Sequence, residues 1–184
     1  MSTFTELYGV NQIQTLRFFL TGLIDLIPAG RNLTQKETIY VAGILSHYAQ
    51  TSRYESDKMP ALANLSEVFD LVLDQAGPTD SQMLETAGAQ SLFFAGFFGD
   101  QMKRRHNLRF FDSLGSSFYE EAHNHTKDAN RKVLFRLMAL HFPLWTRCCR
   151  DLSRTFRENQ FLLNLAKNPE GVRQGGPYGA SKEP

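Results

Sequence analysis

Residues 128–166, DANRKVLFRLMALHFPLWTRCCRDLSRTFRENQFLLNLA, decide the fold. With Leu134 at the origin and ~100° per residue, Met138, His141, Trp145, Cys148, Leu152, Phe156 and Leu163 fall within about 40° of it. Arg136, Arg147, Arg150, Arg154 and Arg157 fall between about 140° and 220°, on the opposite side. This pattern predicts one long amphipathic helix starting near Asp128 and running as far as Ala166. Pro143 lies on its outer face and is expected to bend it.

Upstream the same period recurs. Leu16, Phe19, Leu20, Leu23 and Ile27 predict a helix over 11–27, stopping before Pro28-Ala29-Gly30. Thr34-Gln35-Lys36-Glu37 reads as a capping box, in which the Thr hydroxyl and Glu carboxylate satisfy orphan amides at a helix start. The helix it opens carries Val41, Leu45 and Tyr48 on one face. A third, 64–76, carries Leu65, Val68, Phe69 and Val72 and ends at Gly77-Pro78. Asp80 caps a fourth, which runs through Leu84, Ala87 and Leu92 into Phe93-Phe94-Ala95-Gly96-Phe97-Phe98, with a joint at Gly99-Asp100. Asn107 is the expected cap of a fifth, with Phe111, Leu114, Phe118 and Ala122 inward and Gly115 allowing close approach of a neighbouring helix. No run alternates with period two, and no 20–50-residue repeat recurs. The expectation is therefore an all-α, single-domain bundle of about six helices over residues 1–167. Residues 168–184, NPEGVRQGGPYGASKEP from Asn168 on, read as a disordered Gly/Pro-rich tail.

At 184 residues, 42% hydrophobic and 21% charged, the chain has the make-up of one globular domain. The N-terminus has an acid and no base before Arg17, unlike a secretory leader, and no apolar run approaches the ~20 residues of a membrane span. The adjacent pair Cys148-Cys149 is badly placed for an internal disulfide and lacks the second pair of a zinc site. Reduced, buried thiols in a soluble cytoplasmic protein are expected.

Charge is unevenly distributed. Residues 1–100 hold five Lys/Arg against eleven Asp/Glu, a balance of −6, whereas residues 101–184 hold fifteen against eight, a balance of +7. The near-zero total disfavours a general nucleic-acid binder. Two basic groups stand out. Lys103, Arg104, Arg105 and Arg109 surround the Asn107 cap, where free amides and the helix dipole favour an anion. Arg147, Arg150, Arg154 and Arg157 line the last helix, with Arg147–Asp151 and Arg154–Glu158 at pairing distance.

Catalytic signatures are absent: there is no phosphate loop and no recognisable nucleophile motif. Glu120–His123 is a single Glu-x-x-His pair, on the outer side of its helix, where a dinuclear site requires two. His141 or His125 would have to serve as the axial ligand of a haem between Phe-lined helices. No cofactor is expected.

Leu92, Phe93, Gly96, Phe97, Phe98, Arg104, Arg105, Phe110, Phe111, Gly115 and Tyr119 together resemble a segment of uncharacterised bacterial helical proteins. In that pattern a Leu-Phe-x-x-Gly-Phe-Phe stretch precedes basic residues, an aromatic pair, a Gly and a Tyr. Where it has tyrosines this chain has Phe110 and Phe111, which offer no hydroxyl. The resemblance spans about thirty residues and implies a bacterial origin and an all-helical fold, with no activity attached. The residues themselves point to a non-enzymatic binding or adaptor protein whose basic half engages an acidic partner or a second copy of the chain. The alternative is a sensor holding a small phosphorylated or carboxylated ligand near Arg104, Arg105 and Asn107.

Overall fold

In the computed structural model, residues 11–51, 80–102 and 108–158 are described. Helix α1 (Gln12–Leu26) opens on Asn11, whose side chain accepts from Ile13 N (2.8 Å) and Gln14 N (3.1 Å) while Gln14 returns a bond to Asn11 N. Helix α2 (Gln35–Thr51) opens on the expected capping box: Thr34 N donates to Glu37 Oε2 (2.8 Å) and Glu37 N to Thr34 Oγ1 (3.2 Å). Asp80 caps α3 (Ser81–Leu92), which passes into a π-helical turn at Phe93–Phe97 and the short α4 (Gly99–Met102). After α5 (Leu108–His125), Asp128 caps α6 (Ala129–Glu158) by accepting from Asn130 N and Arg131 N. Among the described residues there is no strand, and no helix is long and apolar enough to cross a membrane. The expected helix 64–76, the Asn107 cap, the stretch 159–166 and the 168–184 tail lie outside the described residues.

Side-chain pairings set the helix directions. Thr15 meets Gln50, so α1 and α2 form an antiparallel hairpin. Tyr40 meets Glu85 and, eight residues further along each segment, Tyr48 stacks on Phe93; α2 and α3 therefore run parallel. Asp112 opposite Thr146, Ser116 opposite Ala139 and His123 opposite Lys132 make α5 and α6 antiparallel. Every other long helix touches α6, as does the π turn.

The core is aromatic. A line of rings crosses the bundle: Tyr48 on Phe93 (4.5 Å between centroids), Phe93 on Phe97, Phe97 against Phe156, and Phe156 on Phe18 (4.7 Å). Phe93, Phe94 and Phe97 are all buried, each contributing about 1.5–3 kcal/mol by leaving water. The core face of α6 keeps Met138, Trp145, Cys148, Leu152 and Phe156 buried as expected and widens to one side. Phe135, Phe142 and Cys149, about 60–100° from Leu134, are fully buried, and Leu134 itself is only half-buried. The widening follows from α5 and the π turn packing on that flank.

Two close approaches hold this flank together. A Cβ on Gly96 would lie 2.6 Å from Cys149 Cβ and 3.3 Å from the Thr146 carbonyl, and one on Gly115 would overlap the Phe142 ring. Gly115 thus has the role expected of it. Pro143 lies within a helix that continues through it. Because Pro143 has no N–H, the Ala139 carbonyl lacks its usual partner four residues on, and the Ser116 hydroxyl of α5 donates to it at 2.6 Å.

Candidate functional site

Of the two basic groups seen in the sequence, the structure describes Arg109 at the start of α5 and the four arginines of α6. Residues 103–107, with Lys103, Arg104, Arg105 and Asn107, are outside the described residues, but both flanks are fixed. On one side Asp100 accepts from Arg154 Nε (2.8 Å), a second Arg154 nitrogen (2.6 Å) and Arg157 (2.8 Å). On the other, Asp112 accepts from Thr146 Oγ1 at 2.8 Å, one residue from Arg147. The Gly99-Asp100 joint is therefore clamped to α6. The Arg154 bonds first, and then those from Arg157, hold the Asp100 carboxyl down at about 2, so it is ionised throughout the physiological range. Burial raises the Asp112 carboxyl, which Thr146 and the nearby Arg150 oppose.

The four α6 arginines divide into distinct roles. Arg150 is half-buried and donates to the Ala95 carbonyl of the π turn (3.1 Å), because the widened core face brings the π turn to its side of the helix. Arg154 pairs with Asp100 and with Asp151 at i,i+3, and Arg157 with Asp100. Arg147 is exposed and, like Arg136 and Lys132, has no ion-pair partner among the described residues. Arg109 is exposed in the first turn of α5. From Ala129 to Arg150 α6 contains no acidic residue. Its outer face there also carries Val133, 61% exposed, and Leu140, 70% exposed, two turns apart.

Sequence reasoning assigned Glu37 only to a cap. Its fully buried carboxylate also accepts from His141 Nδ1 (2.7 Å) and Trp145 Nε1 (3.4 Å), joining the start of α2 to the middle of α6. Burial pushes this carboxyl up, but the bonds from His141, Thr34 and Trp145 outweigh it and leave the group below its ordinary value. The available signal was His141 and Trp145 at i,i+4 on a core stripe: two polar ring edges entering the core require an acceptor. Glu37 fixes the proton on His141 Nδ1 and orients the ring, which makes the pair an interhelix clasp. A second polar link, Tyr119–Tyr40–Glu85–Arg131, ties α5, α2, α3 and α6 together, with the Arg131 guanidinium 5.3 Å above the Phe135 ring.

The remaining chemical candidates are dispersed. His123 Nδ1 contacts the Lys132 carbonyl (2.8 Å), and His125 lies 3.5 Å from Glu121. Among the described residues no three His, Cys, Asp or Glu side chains converge. Cys148 and Cys149 are free and buried, and burial raises both thiols, so neither is an activated nucleophile. Comparison with family models, curated proteins and solved structures finds no match for the chain.

Proposed function

We propose that this protein is a non-enzymatic binding or adaptor module that engages an acidic partner through the basic outer face of α6 and the adjoining start of α5. The observation that supports the reading is the outer face of α6, which has no acidic residue from Ala129 to Arg150 and carries the exposed Lys132, Arg136 and Arg147, with the start of α5 held beside it by the Asp112–Thr146 bond. The acids of this region are engaged internally, Asp100 by Arg154 and Arg157 and Asp112 by Thr146. Lys132, Arg136 and Arg147 remain without ion pairs among the described residues. Such a surface offers electrostatic steering and specificity for an anionic partner. A second copy is the less favoured occupant, since it would present the same positive face.

The test compares the wild-type chain with the Arg136→Glu/Arg147→Glu double variant by affinity capture from cell extract and by sedimentation velocity. An acidic protein retained by the wild type and lost by the variant, with both sedimenting as monomers, is the expected result. Identical capture by both chains overturns the reading. Wild-type self-association lost in the variant transfers the face to a homo-oligomer.

A further inference from the structure

We infer that the outer face of α6 takes an acidic amphipathic helix laid along its length, with Val133 and Leu140 as apolar contacts and Arg136 and Arg147 as charge partners. This inference rests on the α6 face being the binding surface and adds the shape and chemistry of the partner. On the helical projection Val133, Leu137, Leu140 and Leu144 span about 60°, at spacings i, i+4, i+7 and i+11. Val133 and Leu140 stand out in solvent at 61% and 70% exposure, while Leu137 and Leu144 are half-buried between them and the core. Arg136 and Arg147 border one edge of the stripe, about 20–40° further round. Lys132 lies beyond Arg136.

The face from Val133 to Arg147 is about 21 Å long at 1.5 Å per residue, the length of a four-turn partner helix. A partner helix would meet such a stripe with apolar anchors of its own at i, i+3/i+4 and i+7. Charge decides the occupant. Two copies of this face set antiparallel would place arginines at one edge against arginines at the other, and like-charge juxtaposition selects against it. An anionic membrane shares the charge preference. However, the apolar contact here is two aliphatic side chains on a helix whose larger face is committed to the core, with no exposed Trp or Tyr on it to enter an interface.

The experiment uses the full chain and a fluorescein-labelled helical peptide of about 18 residues, roughly five turns, with leucines at i, i+4, i+7 and i+11 and glutamates flanking them. Oligoglutamate of equal charge without leucines serves as a second probe, and vesicles with about 30 mol% phosphatidylserine as a third. By fluorescence anisotropy the leucine helix should bind at least tenfold more tightly than oligoglutamate. Leu140→Ser should remove that advantage without weakening oligoglutamate, and Arg147→Glu should weaken both. Leu140 is exposed, so an unchanged melting temperature verifies that its variant is folded. Equal binding of the two peptides overturns the helix inference and leaves the basic-face reading standing; binding of neither overturns both. Leu140-dependent binding to vesicles without binding to the peptide overturns it in favour of a lipid surface.

Discussion

Glu37 shows how much a single side chain carries in this bundle. Its carboxylate accepts from Thr34 N, Thr34 Oγ1, His141 Nδ1 and Trp145 Nε1, so it caps α2 and clasps α6 at once. Glu37→Gln keeps the shape but turns one acceptor into a donor facing donors, and should cost about 2–4 kcal/mol in urea denaturation. The pH dependence follows from the depressed pKa. Stability from Glu37 is fully present above the unfolded glutamate value of about 4.3 and is lost as pH falls through its lower folded value. Asp100, held at about 2, adds a second loss of the same sign at lower pH. The Glu37→Gln variant should therefore show a shallower fall in unfolding midpoint between neutral pH and pH 3 than the wild type. An equally steep fall in both would show that Glu37 does not gain its bonds on folding. The capping half of this residue's role was legible from Thr34-Gln35-Lys36-Glu37, because a cap is a local pattern. The clasp was not, because its partners lie more than a hundred residues away.

At the level of helices, the informative pair is Pro143 and Ser116. Proline inside a helix leaves the carbonyl four residues back without its donor, and here a hydroxyl from the antiparallel neighbour supplies one. Ser116→Ala should cost about 1–3 kcal/mol by leaving the Ala139 carbonyl unpaired. In the Pro143→Ala background, where the backbone N–H is restored, the same substitution should cost markedly less. A double-mutant cycle with no coupling contradicts this account. Gly115→Ala drives a methyl into the Phe142 ring and should destabilise by about 1–3 kcal/mol or more, read from the shift in thermal midpoint. Helix starts at Thr34 and Asp80 were readable because capping chemistry lies within three residues of each, whereas those near Asn11 and Asp128 were located by the onset of the apolar period and their caps appear only in the structure. The π turn gave no such sign. The face of α6 was readable only to within about 50°, since periodicity locates an apolar stripe while the neighbours packed on it determine how wide it becomes. That difference turned Arg150 from an expected surface cation into the partner of the Ala95 carbonyl.

Over the whole molecule, the opposed charges of the two halves are partly satisfied within one chain. Glu85 with Arg131, and Asp100 with Arg154 and Arg157, each join a residue from the acidic first hundred to one in the basic remainder. Among the described residues, Lys132, Arg136 and Arg147 stay outside these pairings and lie on the outer side of α6, beside two exposed aliphatic residues. The sequence showed that a basic excess existed. It could not show which arginines would be consumed internally, because that depends on α4 and the π turn folding back onto α6. The most direct test of the binding face is amide chemical-shift mapping of the labelled full chain as the acidic leucine helix is added. The account predicts shifts centred on Val133, Arg136, Leu140 and Arg147, reaching Arg109, and little change at Thr15 and Phe19 of α1. Shifts centred on α1, or spread evenly over the chain, would contradict it.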